Sequence, residues 1–220
     1  MRRSDTVVED RDRPLTDTDP NDEQLARRAQ AGCEHSFEQL VRRYQAPLLQ
    51  FLLARTRDRA DAEDLFQDTF VRAYVNLSRY NPQKRFRTWL YTIAFRLTVS
   101  RHRTARLSVA GDDVAQLRAP GEQPLERMAR HETRGLLWRI AREQLTDTQY
   151  TILWLHCVER MPLTEVGRVM GRSSNSARAA LSRARKTLLP HLEAARIAPV
   201  FSAASNRVMI TIPDSCGTAP

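Results

Sequence analysis

The chain has 220 residues, 41% of them hydrophobic and 28% charged, with three cysteines and a formal net charge of +9. That balance fits a globular protein of one domain or two small ones. No run of about 18 apolar residues occurs, which excludes a membrane-spanning helix. The charged N-terminus has no apolar stretch of the kind a secretory signal needs. Cys33, Cys157 and Cys216 are odd in number and far apart, which argues against a disulfide framework and for a reducing, cytoplasmic setting. Cys33 with His35 and His156 with Cys157 match no common zinc spacing, so no metal or cofactor is expected.

In chain order, residues 1–22 hold four Arg against seven Asp and Glu, with Pro14 and Pro20 as breakers. They read as a disordered acidic arm. Residues 23–106 hold sixteen bases and eight acids. Within them Phe37, Leu40, Val41, Tyr44, Leu48, Phe51 and Leu52 recur at helical spacing. A second helix is predicted from about Ala60 to Leu77, with Ala62, Leu65, Phe66, Thr69, Phe70 and Ala73 inward. Asn81-Pro82 breaks the pattern. A third helix, from about Thr88 to Arg103, turns Trp89, Leu90, Ile93, Ala94 and Leu97 inward.

Residues 107–130 carry Gly111, Pro120, Gly121 and Pro124, the composition of a flexible linker. Helical patterning returns at about Leu125 and runs to Leu192, so 131–193 forms a second module with ten bases and six acids. The tail, 194–220, alternates at Val208, Ile210 and Ile212, but no partner strand is evident and it reads as disordered. The fold class is therefore all-α: two small helical bundles joined by a tether.

The second module has the parts of a DNA reader. Thr164 stands at a helix start, as N-cap or first-turn residue, with Glu165 favouring the positive helix end. Val166, Val169 and Met170 face inward. Gly171 can take the positive φ that ends a helix, and Ser173 can cap the next. There Ala177, Leu181, Ala184 and Leu188 make one apolar stripe. From Val166 to Lys186 there are six bases and no acid. A short helix, a glycine turn and a basic second helix are the components of a helix-turn-helix. Ser174, Asn175, Arg178, Ser182 and Arg183 are the candidates at the DNA, Arg178 and Ser182 a turn apart toward base edges. Arg185 and Lys186 suit phosphates. A basic, solvated helix pair is the bland alternative.

The first module joins opposites. Asp58, Asp61, Glu63, Asp64 and Asp68 fall within eleven residues, and Asp61, Asp64 and Asp68 share one helix face. With no His nearby, metal or acid–base chemistry is a poorer account than a docking face for a basic protein. From Arg79 to Arg106 there are eight bases and no acid, interleaved with aromatics. Bases with rings suit single-stranded DNA. Phe86 and Trp89 are expected in the core, whereas Tyr80, Tyr91 and Arg87 are freer to meet a strand.

Asp61-Ala-Glu-Asp-Leu-Phe-Gln-Asp-Thr-Phe70 followed by Phe86-Arg-Thr-Trp-Leu-Tyr-Thr-Ile-Ala94 resembles region 2 of extracytoplasmic-function sigma factors. Leu163-Thr-Glu-Val-Gly-Arg-Val-Met-Gly171 through Ala177-Arg-Ala-Ala-Leu-Ser-Arg-Ala-Arg185 resembles their region 4. The resemblance covers roughly residues 23–193. It implies a non-enzymatic initiation factor that binds core RNA polymerase and promoter DNA, with an anti-sigma factor as the usual regulator. Asp61, Asp64, Gln67 and Asp68 would dock on the β′ clamp helices. Tyr80, Lys84, Arg85, Arg87, Tyr91 and Arg96 would hold the melted −10 element. The second module would read the −35 element and touch the β flap. The chain departs from the family at Phe95-Arg96, where Arg-Asn is common, at Ser100, where an acid is common, and at Ala179-Ala180, where Ser-Arg is frequent. Two rival readings are a helix-turn-helix regulator that never engages polymerase and a metal-dependent nuclease built on the carboxylates.

Overall fold

Residues 20–56, 58–108 and 128–195 are described in a computed structural model, and among them eight α-helices and one 3-10 turn account for the regular structure, with no strand. Most of the N-terminal arm, most of the linker, Cys216 and the alternating 208–212 segment lie outside the described residues.

The first helix, α1 (Asp22–Gln30), is entered through a capping box: the Asn21 side chain accepts from the Gln24 N–H at 2.8 Å and the Gln24 side chain accepts from the Asn21 N–H at 3.0 Å. Two of the four donors left over at a helix start are thereby satisfied. Next come α2 (Glu34–Leu53) and α3 (Arg59–Val75), the latter capped by Asp58, which accepts from the Asp61 N–H at 2.7 Å. A 3-10 turn (Leu77–Arg79) leads to the loop before α4 (Phe86–Ser108). Leu25, Leu40, Leu48, Phe51, Leu90 and Ala94 are fully buried where α1, α2, α3 and α4 meet. A buried Leu or Phe side chain contributes roughly 1.5–3 kcal/mol, so this core is sufficient to order a four-helix unit.

The second unit starts with α5 (Met128–Gln144) and α6 (Asp147–Cys157), the latter capped by Thr146 in a second capping box. It continues through α7 (Leu163–Met170) and α8 (Ser174–Ala194). Ile152, Leu155, Met161, Val166, Ala184 and Leu192 are among its fully buried residues, and Trp138 and Trp154 pack at 4.8 Å between centroids.

The two units are in contact. Helix α4 of the first packs along α7 of the second. Among the described residues, at least four polar bonds cross the seam. Arg87 donates to the Glu159 carbonyl at 2.7 Å, Thr88 donates to the Glu165 carboxylate at 2.8 Å, Arg142 donates to the Thr56 carbonyl at 3.3 Å, and Arg55 donates to the Thr151 hydroxyl. An open cleft lined by Arg55, Phe95, Val99, His102, Asp147 and Met170 follows the same seam.

Candidate nucleic-acid and protein interfaces

The acidic face of α3 is at the surface. Asp64, Gln67 and Asp68 are exposed and Asp61 is half-buried. Arg101 of α4 pairs with Asp61 and reaches Asp64 at 3.7 Å, so part of the stripe is neutralised from within. Farther along the same face the helix turns apolar. Val71, Tyr74 and Val75 are 60%, 53% and 70% exposed, and Val71 and Val75 continue the line of Asp64 and Asp68 at intervals of three and four residues. The combination of carboxylates at one end and bare aliphatic side chains at the other is what a protein partner can cover. Sequence reasoning missed the three apolar residues. Their signal was an apolar group lying off the inward stripe of Leu65, Thr69 and Ala73.

The basic loop between the 3-10 turn and α4 is held from several sides. Gln30 of α1 donates to the carbonyls of Leu77 and Tyr80, both at 2.8 Å. Tyr80 donates to the Lys84 carbonyl, and the Asn81 side chain accepts from the Gln83 N–H at 2.9 Å. Glu23 accepts from the Phe86 N–H at 3.3 Å and so serves the open end of α4. Lys84 and Arg85 stand exposed on this fixed loop, with Arg96 exposed two to three turns along α4.

The tyrosines differ from expectation. Tyr80 is buried, its ring against Phe86 at 5.5 Å and Trp89 at 5.1 Å. Tyr91 is fully buried, its ring 5.2 Å from that of Phe51. Burial pushes both phenols well above the usual range, reinforced at Tyr91 by the Glu159 carboxylate. The Tyr91 hydroxyl is sealed from solvent without completing a hydrogen bond of ordinary geometry. Tyr91 is buried because α4 is covered on two sides, by its own bundle and by the second unit, whereas Tyr80 is covered within the first unit by Phe86 and Trp89. Trp89, expected at least partly in the core, is half-buried, and so is Arg87, whose guanidinium is occupied by the Glu159 carbonyl.

In the second unit the helix-turn-helix has the anticipated geometry. Pro162, not Thr164, occupies the N-cap position of α7, so Thr164 lies in its first turn. Gly171 ends α7 with φ 64°, a conformation that suits glycine. Ser173 caps α8, accepting from the Ser176 N–H at 3.2 Å. Ala177, Leu181, Ala184 and Leu188 are buried as one stripe. Outward, Asn175, Arg178, Ser182, Arg183 and Lys186 are exposed and Ser174 is half-buried. Arg185 is turned partly inward: it is half-buried and its charge bears on the Cys157 thiol, whose pKa burial nevertheless pushes up to about 12.

The family described as Sigma-70 region 2 matches residues 40–107, and that described as Sigma-70, region 4 matches residues 141–188. Together they span more than half of the chain. ECF RNA polymerase sigma factor SigW of Bacillus subtilis is 26% identical over 171 residues, 73% of this chain and 91% of that one. RNA polymerase sigma-H factor of Pseudomonas aeruginosa is 28% identical over 182 residues, 78% of this chain and 93% of that one. Among solved structures, CnrH in complex with the cytosolic domain of CnrY superposes with a TM-score of 0.59 at 25% identity, over 79% of this chain and 97% of that chain. The sigma factor RpoE of Bartonella quintana, solved with the anti-sigma factor NepR, shares the fold with a TM-score of 0.58 at 19% identity, over 71% of this chain and 96% of that one. With region 2 and region 4 in order along one helical chain, the protein belongs to the extracytoplasmic-function sigma factors of the sigma-70 family.

Proposed function

We propose that the chain divides its work as a sigma factor between residues 23–106, which engage core RNA polymerase and the −10 element, and residues 131–193, which read the −35 element. The observation that carries this reading is the presence, in one chain, of an exposed acidic–apolar α3 face and an exposed basic α8 face on separate helical units. A regulator that only bound duplex DNA would have no use for the first.

The α3 face, through Asp64, Gln67, Asp68, Val71 and Val75, meets the β′ clamp helices. Its charges favour encounter and register, and its aliphatic groups supply burial. Asp61 acts there through its pair with Arg101. Lys84, Arg85, Arg87 and Arg96 track the phosphates of the opened strand. Trp89, half-exposed, is better placed than Tyr80 or Tyr91 to stack on a base. The two tyrosines support the surface from below, Tyr80 by fixing the loop. Arg178 and Ser182 face base edges of the −35 element, Asn175, Ser174 and Arg183 flank them, and Lys186 meets phosphate. Arg185 steadies α8 against its own unit. No step requires covalent chemistry from this chain: phosphodiester synthesis belongs to polymerase in the cytoplasm. Because CnrH and RpoE were solved with CnrY and the anti-sigma factor NepR, an anti-sigma protein is the regulator to seek.

The test is run-off transcription by core polymerase on a genomic fragment library, with and without this protein. Discrete transcripts that depend on it, and share two spaced elements, are the expected result. Duplex binding with no polymerase-dependent transcript would favour the simple regulator.

A further inference from the structure

The outward face of α8 is sorted by side-chain length. At about 100° per residue, Asn175, Ala179 and Ser182 share one line, opposite the buried stripe of Ala177, Ala180, Leu181, Ala184 and Leu188. Arg178 and Arg183 lie on either side of that line, and all five outward residues are exposed. The line farthest from the buried stripe therefore carries only short side chains over this stretch, while the long cations stand on its flanks. A helix built this way can bring its backbone close to the floor of the major groove, with the arginines reaching in from the sides.

Ala179 is the odd member of the line. Asn175 and Ser182 can each donate and accept a hydrogen bond, whereas Ala179 offers a methyl group alone. Its neighbour Ala180 is 2% exposed and supplies the apolar contact inside the unit, so the Ala179 methyl is left outside. That methyl has no rotamer with which to turn away. The start of α8 is held by the Ser173 cap at 3.2 Å and by the Arg172 N–H on the Gly167 carbonyl at 2.8 Å. Pressed against a donor or acceptor of a base, Ala179 would exclude water and leave that group unpaired, which is costly. Thymine alone among the four bases presents a methyl group in the major groove, and docking there takes two apolar groups out of water together.

We infer that Ala179 is a specificity-determining residue of this chain, selecting a thymine in the −35 element through the C5-methyl group. Four residues of helix rise separate it from Asn175, so the thymine lies within about two base pairs of the pair that Asn175 meets. The inference rests on the reading of α8 as the −35 reader and names a base that this reading left open.

The full chain on core polymerase is the material for the test, and the probe is a duplex recovered with it from a pool randomised over the −35 region. Replacing each thymine of that region by uracil, one at a time, deletes the methyl and leaves every hydrogen-bonding group in place. One replacement should weaken binding about fourfold, the worth of burying one methyl group. Ala179→Gly has no methyl to meet it and should bind the thymine and uracil duplexes equally. Each comparison is between two duplexes on one protein, so a general weakening of α8 by glycine cancels. Ala179→Ser, a milder change to the helix, should shrink the difference. If no uracil replacement matters, or if the sensitive position stays equally sensitive in both variants, Ala179 does not select a thymine. Arg178→Glu with Arg183→Glu separates this from the wider reading. Loss of binding there, with no uracil effect in wild type, leaves α8 in the groove and overturns the thymine alone. Undiminished binding there, or a pool that yields no shared −35 sequence, takes α8 off the −35 element, and the thymine assignment falls with it.

Discussion

Arg55, in the turn just after α2, donates to the Thr151 hydroxyl of α6, so a cation from the first unit is buried against the second. Its Nε also reaches Thr98 at 3.4 Å, and the guanidinium lies 5.8 Å and 5.4 Å from the ring centroids of Phe51 and Phe95. Burial lowers its pKa to about 10, with Asp147 opposing the shift, so it is still charged at neutral pH. Arg55→Ala removes a charge-assisted bond and both ring contacts, and should cost about 2–3 kcal/mol in urea unfolding. Arg55→Met keeps the bulk and removes the cation that must be desolvated, and should cost less than half as much. Equal losses would mean that the charge, and not the packing, dominates.

Glu159 gives the fold a pH dependence with a definite sign. Burial raises its carboxyl above the ordinary value of 4.5, against the opposing effect of the nearby Tyr91 hydroxyl, the Trp154 indole N–H and the Arg87 charge. Below that value it is protonated folded and unfolded alike, and there is no penalty. As pH climbs past it, the unfolded chain releases the proton first, so the native state binds more protons and stability falls. Glu159→Gln retains an acceptor for the Trp154 indole N–H, which lies 3.2 Å from Glu159 Oε1, and carries no charge. Wild type should therefore lose stability relative to Glu159→Gln as pH rises through and above the ordinary carboxyl value of 4.5. Parallel melting curves across that range would exclude Glu159 as the group responsible.

Gly167 sits inside α7 for a steric reason. A Cβ there would lie 2.7 Å from the Arg172 carbonyl oxygen and 3.3 Å from the Ser173 carbonyl carbon. Both are backbone atoms of the turn that sets the angle between α7 and α8, and the Arg172 N–H is already bonded to the Gly167 carbonyl at 2.8 Å. Gly167→Ala should cost about 1–3 kcal/mol, the usual penalty of overpacking, and should weaken duplex binding. Retained stability with retained binding would show that the turn can shift freely.

The helices were legible because their causes are local. Three- and four-residue apolar spacing marks α2, α3 and α4, and Gly171 with Ser173 marks the join of α7 and α8. The first helix was missed although Asn21 and Gln24 form a capping pair, because the acidic, proline-bearing stretch before it masked the signal. Tyr80 and Tyr91 could not be placed from the chain alone. Whether the Tyr91 ring meets solvent depends on a second unit far along the chain, through Glu159, and the burial of Tyr80 depends on how its loop folds back on Phe86 and Trp89; no local pattern encodes either contact. The inward turn of Arg185 toward Cys157 likewise emerged only from packing, within the second unit.

The Val71–Val75 patch allows a test of polymerase docking that leaves the fold intact. Val71 and Val75 are more than half exposed, so Val71→Arg with Val75→Arg should alter stability by less than about 0.5 kcal/mol. Core binding, followed by fluorescence anisotropy, should weaken at least tenfold, comparable to losing one buried hot-spot contact of about 1.4 kcal/mol or more. Asp64→Lys with Asp68→Lys should also weaken it, and more strongly at low salt, where a repelling pair is least screened. Undiminished affinity in both double variants would move the docking face off α3.

Arg178 and Lys186 are both exposed on α8, two helical turns apart, and the difference between them separates reading from holding. Arg178 lies in the N-terminal part of α8, beyond the Ser173 cap, the end that a helix-turn-helix presents to base edges. A bidentate contact from it to a base would make Arg178→Ala cost about 1–3 kcal/mol on the cognate −35 element and much less on a scrambled duplex. Lys186, farther along, is placed for phosphate. Lys186→Ala should weaken cognate and scrambled duplexes alike and lower the slope of log affinity against log salt by about one. The measurement is a salt titration of each variant on both duplexes. Should Arg178→Ala reduce the two affinities equally, with the same loss of salt slope as Lys186→Ala, Arg178 is a phosphate contact. The base-reading role would then pass to Asn175 and Ser182, the remaining exposed polar groups on that face.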